Sequence, residues 1–105
     1  MEAIKAEEVF DEIIEKNEPV IIKVEGAGCP DCIVMDMFIG EIIEEYQQYE
    51  WYKVNRDELP DIASRYDVMG IPSILLFQNG KKQAHLHSVD AKTPEEVQAF
   101  LHANL

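Results

Sequence analysis

The sequence predicts an α/β fold in which a central mixed β-sheet is flanked by helices. Three observations carry that expectation. Short β-branched or apolar runs alternate with segments whose apolar residues recur at helical spacing. An Asn-Gly turn follows the most apolar run, as in a tight hairpin. The chain then closes on a helix with a full set of start signals. Strands alternating with helices, then a hairpin and a last helix, imply a sheet with helices on both faces.

The elements follow in order. From Ala6 to Asn17, Val9, Phe10, Ile13 and Ile14 form a one-sided apolar stripe whose other face is mostly Glu, and Pro19 ends it. Val20-Ile21-Ile22-Lys23-Val24 is a β-branched run of strand length. Gly26 and Gly28 break the pattern before Cys29-Pro30-Asp31-Cys32, and a long helix follows with Met35, Ile39, Ile42, Ile43 and Tyr46 on one side. Trp51 to Asn55 reads as a second strand and Leu59 to Tyr66 as a short helix. Tyr49, Trp51 and Tyr52 are expected to pack in the core and at its rim. Ser73 to Phe77 is an unbroken apolar run, as expected of a strand covered on both faces. Asn79-Gly80 turns it into a returning strand from Lys82 to His87, whose His85 and His87 are expected to face solvent. Thr93-Pro94-Glu95-Glu96 reads as N-cap, Pro at the first helical position and a capping-box Glu, with Val97, Phe100 and Leu101 as the buried stripe.

Length and charge bound the function. A chain of 105 residues is about one domain, so residues 1–105 are expected to fold as a single unit with its own core. Nine Lys plus Arg against 21 Asp plus Glu give a net charge of −12, which argues against nucleic acid or an anionic membrane as partner. No apolar run approaches the ~20 residues of a membrane helix, and the acidic, amphipathic Met1-Glu2-Ala3-Ile4-Lys5 is unlike a signal peptide. A cytoplasmic location is the resulting expectation. Asp36, Glu41, Glu44, Glu45 and Glu50 are expected to form a solvated acidic face.

The two cysteines stand where a glycine-rich turn runs into a helix. The first helical turn presents unpaired N–H groups and the positive end of the helix dipole, which stabilise a thiolate and lower its pKa. Cys32, about one turn on, is close enough to attack a mixed disulfide at Cys29. Pro30 suits the first helical position. Asp31 suits the dipole, yet its charge should raise a neighbouring thiolate's pKa. Other readings compete. A structural disulfide across so short a loop removes little chain entropy. Zinc would need roughly two further ligands, and only His85, His87 and His102 are available, in no usual spacing. Cysteines buried merely as small apolar residues do not need this setting.

Together, Cys29-Pro30-Asp31-Cys32 after a strand, Gly70-Ile71-Pro72-Ser73 before a buried strand, Phe77-Gln78-Asn79-Gly80-Lys81 at the hairpin and the terminal Phe100-Leu101-His102-Ala103-Asn104-Leu105 resemble the thioredoxin family, from about Val9 onward. The resemblance implies the thioredoxin fold, with Cys29 as exposed nucleophile and Cys32 as resolving thiol. It implies a cis-proline at Pro72 facing the dithiol, and an Ile71 backbone that pairs with an extended stretch of substrate. Gly28, Pro30 and Asp31 complete the implied substrate-binding rim. The sequence departs from the family at the site: Gly28 stands for the usual Trp, Pro30-Asp31 for Gly-Pro, and Met37 for a helical Pro. The family's buried Asp aligns with Lys23, and its Lys partner with Lys53. We expect Glu25, with Lys23 or Lys53, to take over the proton relay; the alternative is that Lys23 turns outward and Glu25 is a rim residue.

The function so implied is thiol–disulfide oxidoreduction through the Cys29–Cys32 pair, with no metal or organic cofactor. Disulfide-containing proteins, or mixed disulfides of a low-molecular-weight thiol, would be substrates, and an external thiol or reductase would reset a monomeric enzyme. The competing reading, motivated by Lys23 and the missing Trp, is a redox-inactive binding or scaffold protein on the same fold.

Overall fold

The structure, a computed structural model, describes residues 1–105. Strands β1 (Glu2–Ile4), β2 (Val20–Glu25), β3 (Glu50–Asn55), β4 (Ser73–Gln78) and β5 (Lys81–Leu86) form one sheet in the order β1-β3-β2-β4-β5. β1, β3 and β2 run parallel, and β4 and β5 are antiparallel to their neighbours. The helices are α1 (Glu7–Ile14), α2 (Pro30–Glu45), α3 (Pro60–Arg65) and α4 (Pro94–Asn104).

Alternation along β2 divides the core in two. Val20, Ile22 and Val24 face Phe10 and Ile14 of α1 and Ile62 of α3. Ile21 faces the other way, with Trp51, Ile74 and Leu76, toward Met35, Ile39 and Ile42 of α2 and Val97 and Leu101 of α4. Both faces of β2 and β4 are therefore covered, as their apolar runs require. Lys23 shares the α2 face with Ile21.

β1 has no counterpart among the sequence-based elements, because three residues are too few to show a period. It adds an edge by pairing parallel to β3, with Ala3 opposite Lys53. α1 ends at Ile14, short of Asn17. The hairpin meets the carbonyls at and just beyond its end: Gly80 N–H donates to Ile14 O at 2.7 Å and Asn79 N–H to Lys16 O at 2.8 Å. Both turn residues have positive φ (54° and 79°), the mirror-image turn that Asn-Gly favours. α2 runs unbroken past Met37 and Gly40. In α4 the capping box is complete, with Thr93 Oγ1 accepting from Glu96 N–H and Glu96 Oε1 from Thr93 N–H.

Two expectations about the surface need correction. His85 is half-buried rather than solvent-facing, and its ring stacks on that of His87 at 3.7 Å between centroids. A register shift between Leu76 and Phe77 places Lys82 opposite Phe77 and His85 opposite Leu75, so the two share a face although three residues apart. Lys82 Nζ then lies 3.0 Å from His85 Nδ1. Burial, with Lys82 and His87 adding to it, pushes the His85 pKa down to about 4. Asp36 and Glu50 are solvent-exposed, as expected, but each also holds a lysine, and Glu50 is not on the helix. Glu50 lies on β3 and pairs with Lys16 at 2.6 Å, and Asp36 pairs with Lys23.

Candidate active site

The cysteine pair sits at the junction of β2 and α2, on a loop shaped by glycines. Gly28 has φ +64°, a left-handed conformation that L side chains rarely adopt. At Gly26 a Cβ would stand 2.8 Å from Ile71 Cδ1 and 3.0 Å from Asp57 Oδ2, so a larger residue there would push these two side-chain ends aside. Asp57 fixes this loop further by accepting from Ala27 N–H at 3.1 Å, and Arg56 N–H donates to Glu25 O at 2.8 Å.

Cys29 is the N-cap of α2, with extended backbone, and Pro30 occupies the first turn. Its Sγ accepts from Cys32 N–H at 3.1 Å, a helix-start donor shared with the Cys29 carbonyl oxygen at 3.1 Å. The two cysteines are joined by a disulfide with Cα atoms 5.3 Å apart, a separation suited to such a bond. Their environments differ. Cys29 is half-buried at the edge of the site, and Cys32 is 4% exposed beneath it. An exchange reaction needs this arrangement, with one sulfur reachable from outside and the second held behind it.

The loop before β4 closes the other side. The Ile71–Pro72 peptide is cis, and the Ile71 carbonyl oxygen lies 3.8 Å from Cys29 Sγ. Ser73 Oγ donates to Gly70 O at 2.7 Å, and Gly70 packs directly on Ser88. Gly28, Pro30 and Asp31 are exposed around the pair. Exposed apolar side chains extend this rim, with Ile33 on α2, Met69 before the Ile71–Pro72 loop and Val89 beside Ser88.

Of the expected relay residues, the structure joins two and leaves the third apart. Lys23 is 0% exposed, and its Nζ donates to Glu25 Oε1 at 2.8 Å and to Asp36 Oδ1 at 2.5 Å. It therefore turns inward under α2. Lys53 lies opposite Lys23 in the β2–β3 register, half-buried, and forms neither an ion pair nor a side-chain hydrogen bond. Two partners escaped the sequence reading. Asp36 stands four residues beyond Cys32 on α2, a spacing that puts both on one helix face and was the available signal. Lys92 Nζ donates to Asp31 Oδ2 at 2.7 Å, and nothing local in the sequence marks that pair, which joins the segment before α4 to the first turn of α2. No group of three or more His, Cys, Asp or Glu side chains is placed to hold a metal.

A mixed sheet between helices, with a redox-capable cysteine pair at a helix start, one sulfur reachable and one buried, defines a protein built for thiol–disulfide exchange. Comparison with known proteins agrees. The thioredoxin family model matches residues 2–103, and the chain belongs to the thioredoxin family. Thioredoxin AMT13 of Alternaria alternata is 35% identical over 97 residues, covering 91% of this chain and 80% of that protein. Thioredoxin-1 of Saccharomyces cerevisiae is 32% identical over 95 residues, covering 90% and 89%. In overall fold the chain is similar to a solved Plasmodium falciparum thioredoxin, with TM-score 0.89 over the full length of both chains at 20% identity. The chain is a thiol–disulfide oxidoreductase, and proteins of this family act through their own cysteine pair without a cofactor.

Proposed function

We propose that the protein reduces disulfides in other proteins, with Cys29 as nucleophile and Cys32 as resolving thiol. The observation that carries this reading is the asymmetry of the pair: Cys29 is reachable and receives a helix-start N–H, while Cys32 is buried behind it. The Cys29 thiolate attacks one sulfur of the substrate disulfide, and the other substrate sulfur leaves as a thiolate. Cys32, deprotonated, then attacks Cys29 Sγ. The second substrate thiolate departs and the Cys29–Cys32 disulfide remains, two electrons having passed to the substrate. An external thiol or reductase returns those electrons.

Gly28, Pro30, Asp31, Ile71 and Pro72 form the surface on which the substrate chain lies in this reading, with the Ile71 carbonyl beside Cys29 Sγ as a backbone hydrogen-bond acceptor. A cytoplasmic reductant acting as a monomer is the setting we assign. The only two cysteines are the exchanging pair, which suits a reducing compartment, and a net charge of −12 opposes self-association.

The test is the redox equilibrium of Cys29–Cys32, read as free thiol across a dithiothreitol series at pH 7. A reversible two-electron transition near about −270 mV is expected of a cytoplasmic reductant. A midpoint above about −200 mV would replace reduction by an oxidant or isomerase role. Absence of a reversible disulfide would overturn the reading.

A further inference from the structure

The two sulfurs need different things from the protein. Cys29 has the helix start, but no hydrogen bond reaches Cys32 Sγ, and Cys32 is nearly excluded from water. Forming a thiolate there carries the cost of ionising a group without solvent, which raises a thiol's pKa unless a charge of opposite sign stands nearby. The interior offers one such charge. Lys23 and Ser73 are the only polar or charged side chains buried within the fold, and Lys23 is the only cation among them.

Its placement is specific. Lys23 lies on the face of β2 that α2 covers, and its Nζ is bound to Asp36, one helical turn beyond Cys32. Glu25, two residues along the strand, accepts from the same ammonium. The two carboxylates are not equivalent to the cation they hold. The Asp36 side chain is 58% exposed and screened by water, Glu25 at 23% is screened less, and the Lys23 ammonium is wholly enclosed, so its field acts through protein. Lys53, from β3, adds a second cation on the same sheet face, and Asp31 on the first turn of α2 is balanced by Lys92.

We propose that Lys23 is a positioning residue for the resolving step: its buried ammonium, held by Glu25 and Asp36, stabilises the Cys32 thiolate that attacks the mixed disulfide. This rests on the exchange reaction assigned above and specifies how its second half works in a chain with Lys where the family resemblance implies a buried Asp. The proton leaving Cys32 passes to solvent, and the departing substrate thiolate takes up another, so the step is neutral in protons as well as electrons. Lys23 supplies a fixed field.

The experiment reads Cys32 alone. In the Cys29→Ser protein, the rate of alkylation by iodoacetamide is followed against pH, with Lys23→Met, Lys23→Arg or Asp36→Asn added. Lys23→Met is expected to raise the apparent Cys32 pKa by about half a unit or more, roughly a threefold loss of thiolate near neutral pH. Asp36→Asn, which removes a screened carboxylate and leaves the ammonium less balanced, is expected to move it the other way. Lys23→Arg should hold the wild-type profile. A purely structural role would move Lys23→Met and Asp36→Asn in the same direction, and that outcome, or a Lys23→Met profile like the parent's, overturns the proposal. Should Lys23→Met not fold, Lys23→Gln, which keeps a polar chain beside Glu25 and Asp36 but removes the charge, takes its place, and a Lys23→Gln profile like the parent's overturns the proposal. The dithiothreitol titration of the two-cysteine protein is run beside these. If it shows no reversible disulfide the exchange reading falls, and if it succeeds while the profiles do not shift only the role of Lys23 falls.

Discussion

Gly70→Ala probes the packing that holds the Ile71–Pro72 loop against the dithiol. The backbone at Gly70 does not lie in the left-handed region, so the methyl group itself is the only perturbation. It would stand 2.3 Å from Ser88 Oγ and 3.3 Å from Ser88 Cβ. The hydroxyl can swing aside, because Ser88 Oγ makes no hydrogen bond, but the Cβ contact is still a few tenths of an ångström inside ordinary carbon–carbon separation. Forcing one extra methyl into packed surroundings costs roughly 1–3 kcal/mol, and the rotation open to Ser88 puts this case at the lower end, about 1 kcal/mol. For a domain of this size that is a fall in Tm of roughly 4–8 °C. Strain relieved on the other side moves residue 70, and with it the Ile71 carbonyl that faces Cys29 Sγ. A shift of that size is expected to lower kcat/KM for reduction of a disulfide peptide about threefold to tenfold, since a displacement near 1 Å can cost ~100-fold. The assay is peptide reduction with dithiothreitol as turnover reductant, beside thermal melts. Ser88→Gly removes both clashing atoms, so Gly70→Ala should be nearly silent in that background. A full loss of Tm and rate in the Ser88→Gly background, or none in the wild type, would refute the steric argument.

Three further outcomes are expected. Thr93→Ala removes the side-chain half of the α4 capping box and should cost about 1 kcal/mol, seen as a lower urea midpoint with an unchanged slope. His85, held near 4 by burial, binds its proton more weakly folded than unfolded, so its contribution to stability is complete above about 6.5 and is lost as pH falls toward 4. An NMR titration of its ring should show that low midpoint, and a midpoint at the ordinary histidine value would contradict the packing of β5. Lys92→Met should leave Tm almost unchanged, because the Asp31 pair is about half exposed and such pairs contribute ~0–1 kcal/mol. It should nevertheless slow Cys29 alkylation at pH 7 by leaving Asp31 unbalanced, with the rate restored by adding Asp31→Asn and the difference fading in 1 M salt. Equal rates for Lys92→Met and wild type at low salt would rule that out.

What could be read in advance divides along physical lines. The strands at Val20 and Ser73, the Asn79-Gly80 turn and the Thr93 cap depend on short-range rules of period, φ and hydrogen bonding, and each stands where those rules place it. The burial of Lys23 could not be settled the same way. Its strand position fixes which face it leaves, but a four-carbon stem lets the ammonium travel several ångströms, and only the packing of α2 decides that it stops between Glu25 and Asp36. His85 fails for a different reason. The ladder is regular through His85, which lies opposite Leu75, so alternation gives its face; what alternation cannot give is that this face is half-covered and that the shift at Leu76/Phe77 brings Lys82 onto it.

The same long-range placement changes what the net charge means for the chemistry. A chain with nine Lys and Arg against 21 Asp and Glu looks hostile to thiolates throughout. Yet three of the cations lie in ion pairs on segments that meet at the dithiol: Lys23 on β2, Arg56 after β3 and Lys92 before α4, with unpaired Lys53 beside Lys23. Each paired cation cancels a carboxylate that would otherwise oppose ionisation of a nearby sulfur. The most enclosed of these cations is the least screened, so its field outlasts the others as ionic strength rises. Raising salt should therefore weaken the influence of Lys92 on Cys29 well before it weakens that of Lys23 on Cys32. Alkylation of the two cysteines, each measured with the other replaced by Ser, would separate the two dependences. Equal salt sensitivity in the Lys92→Met and Lys23→Met effects would contradict the enclosure of Lys23.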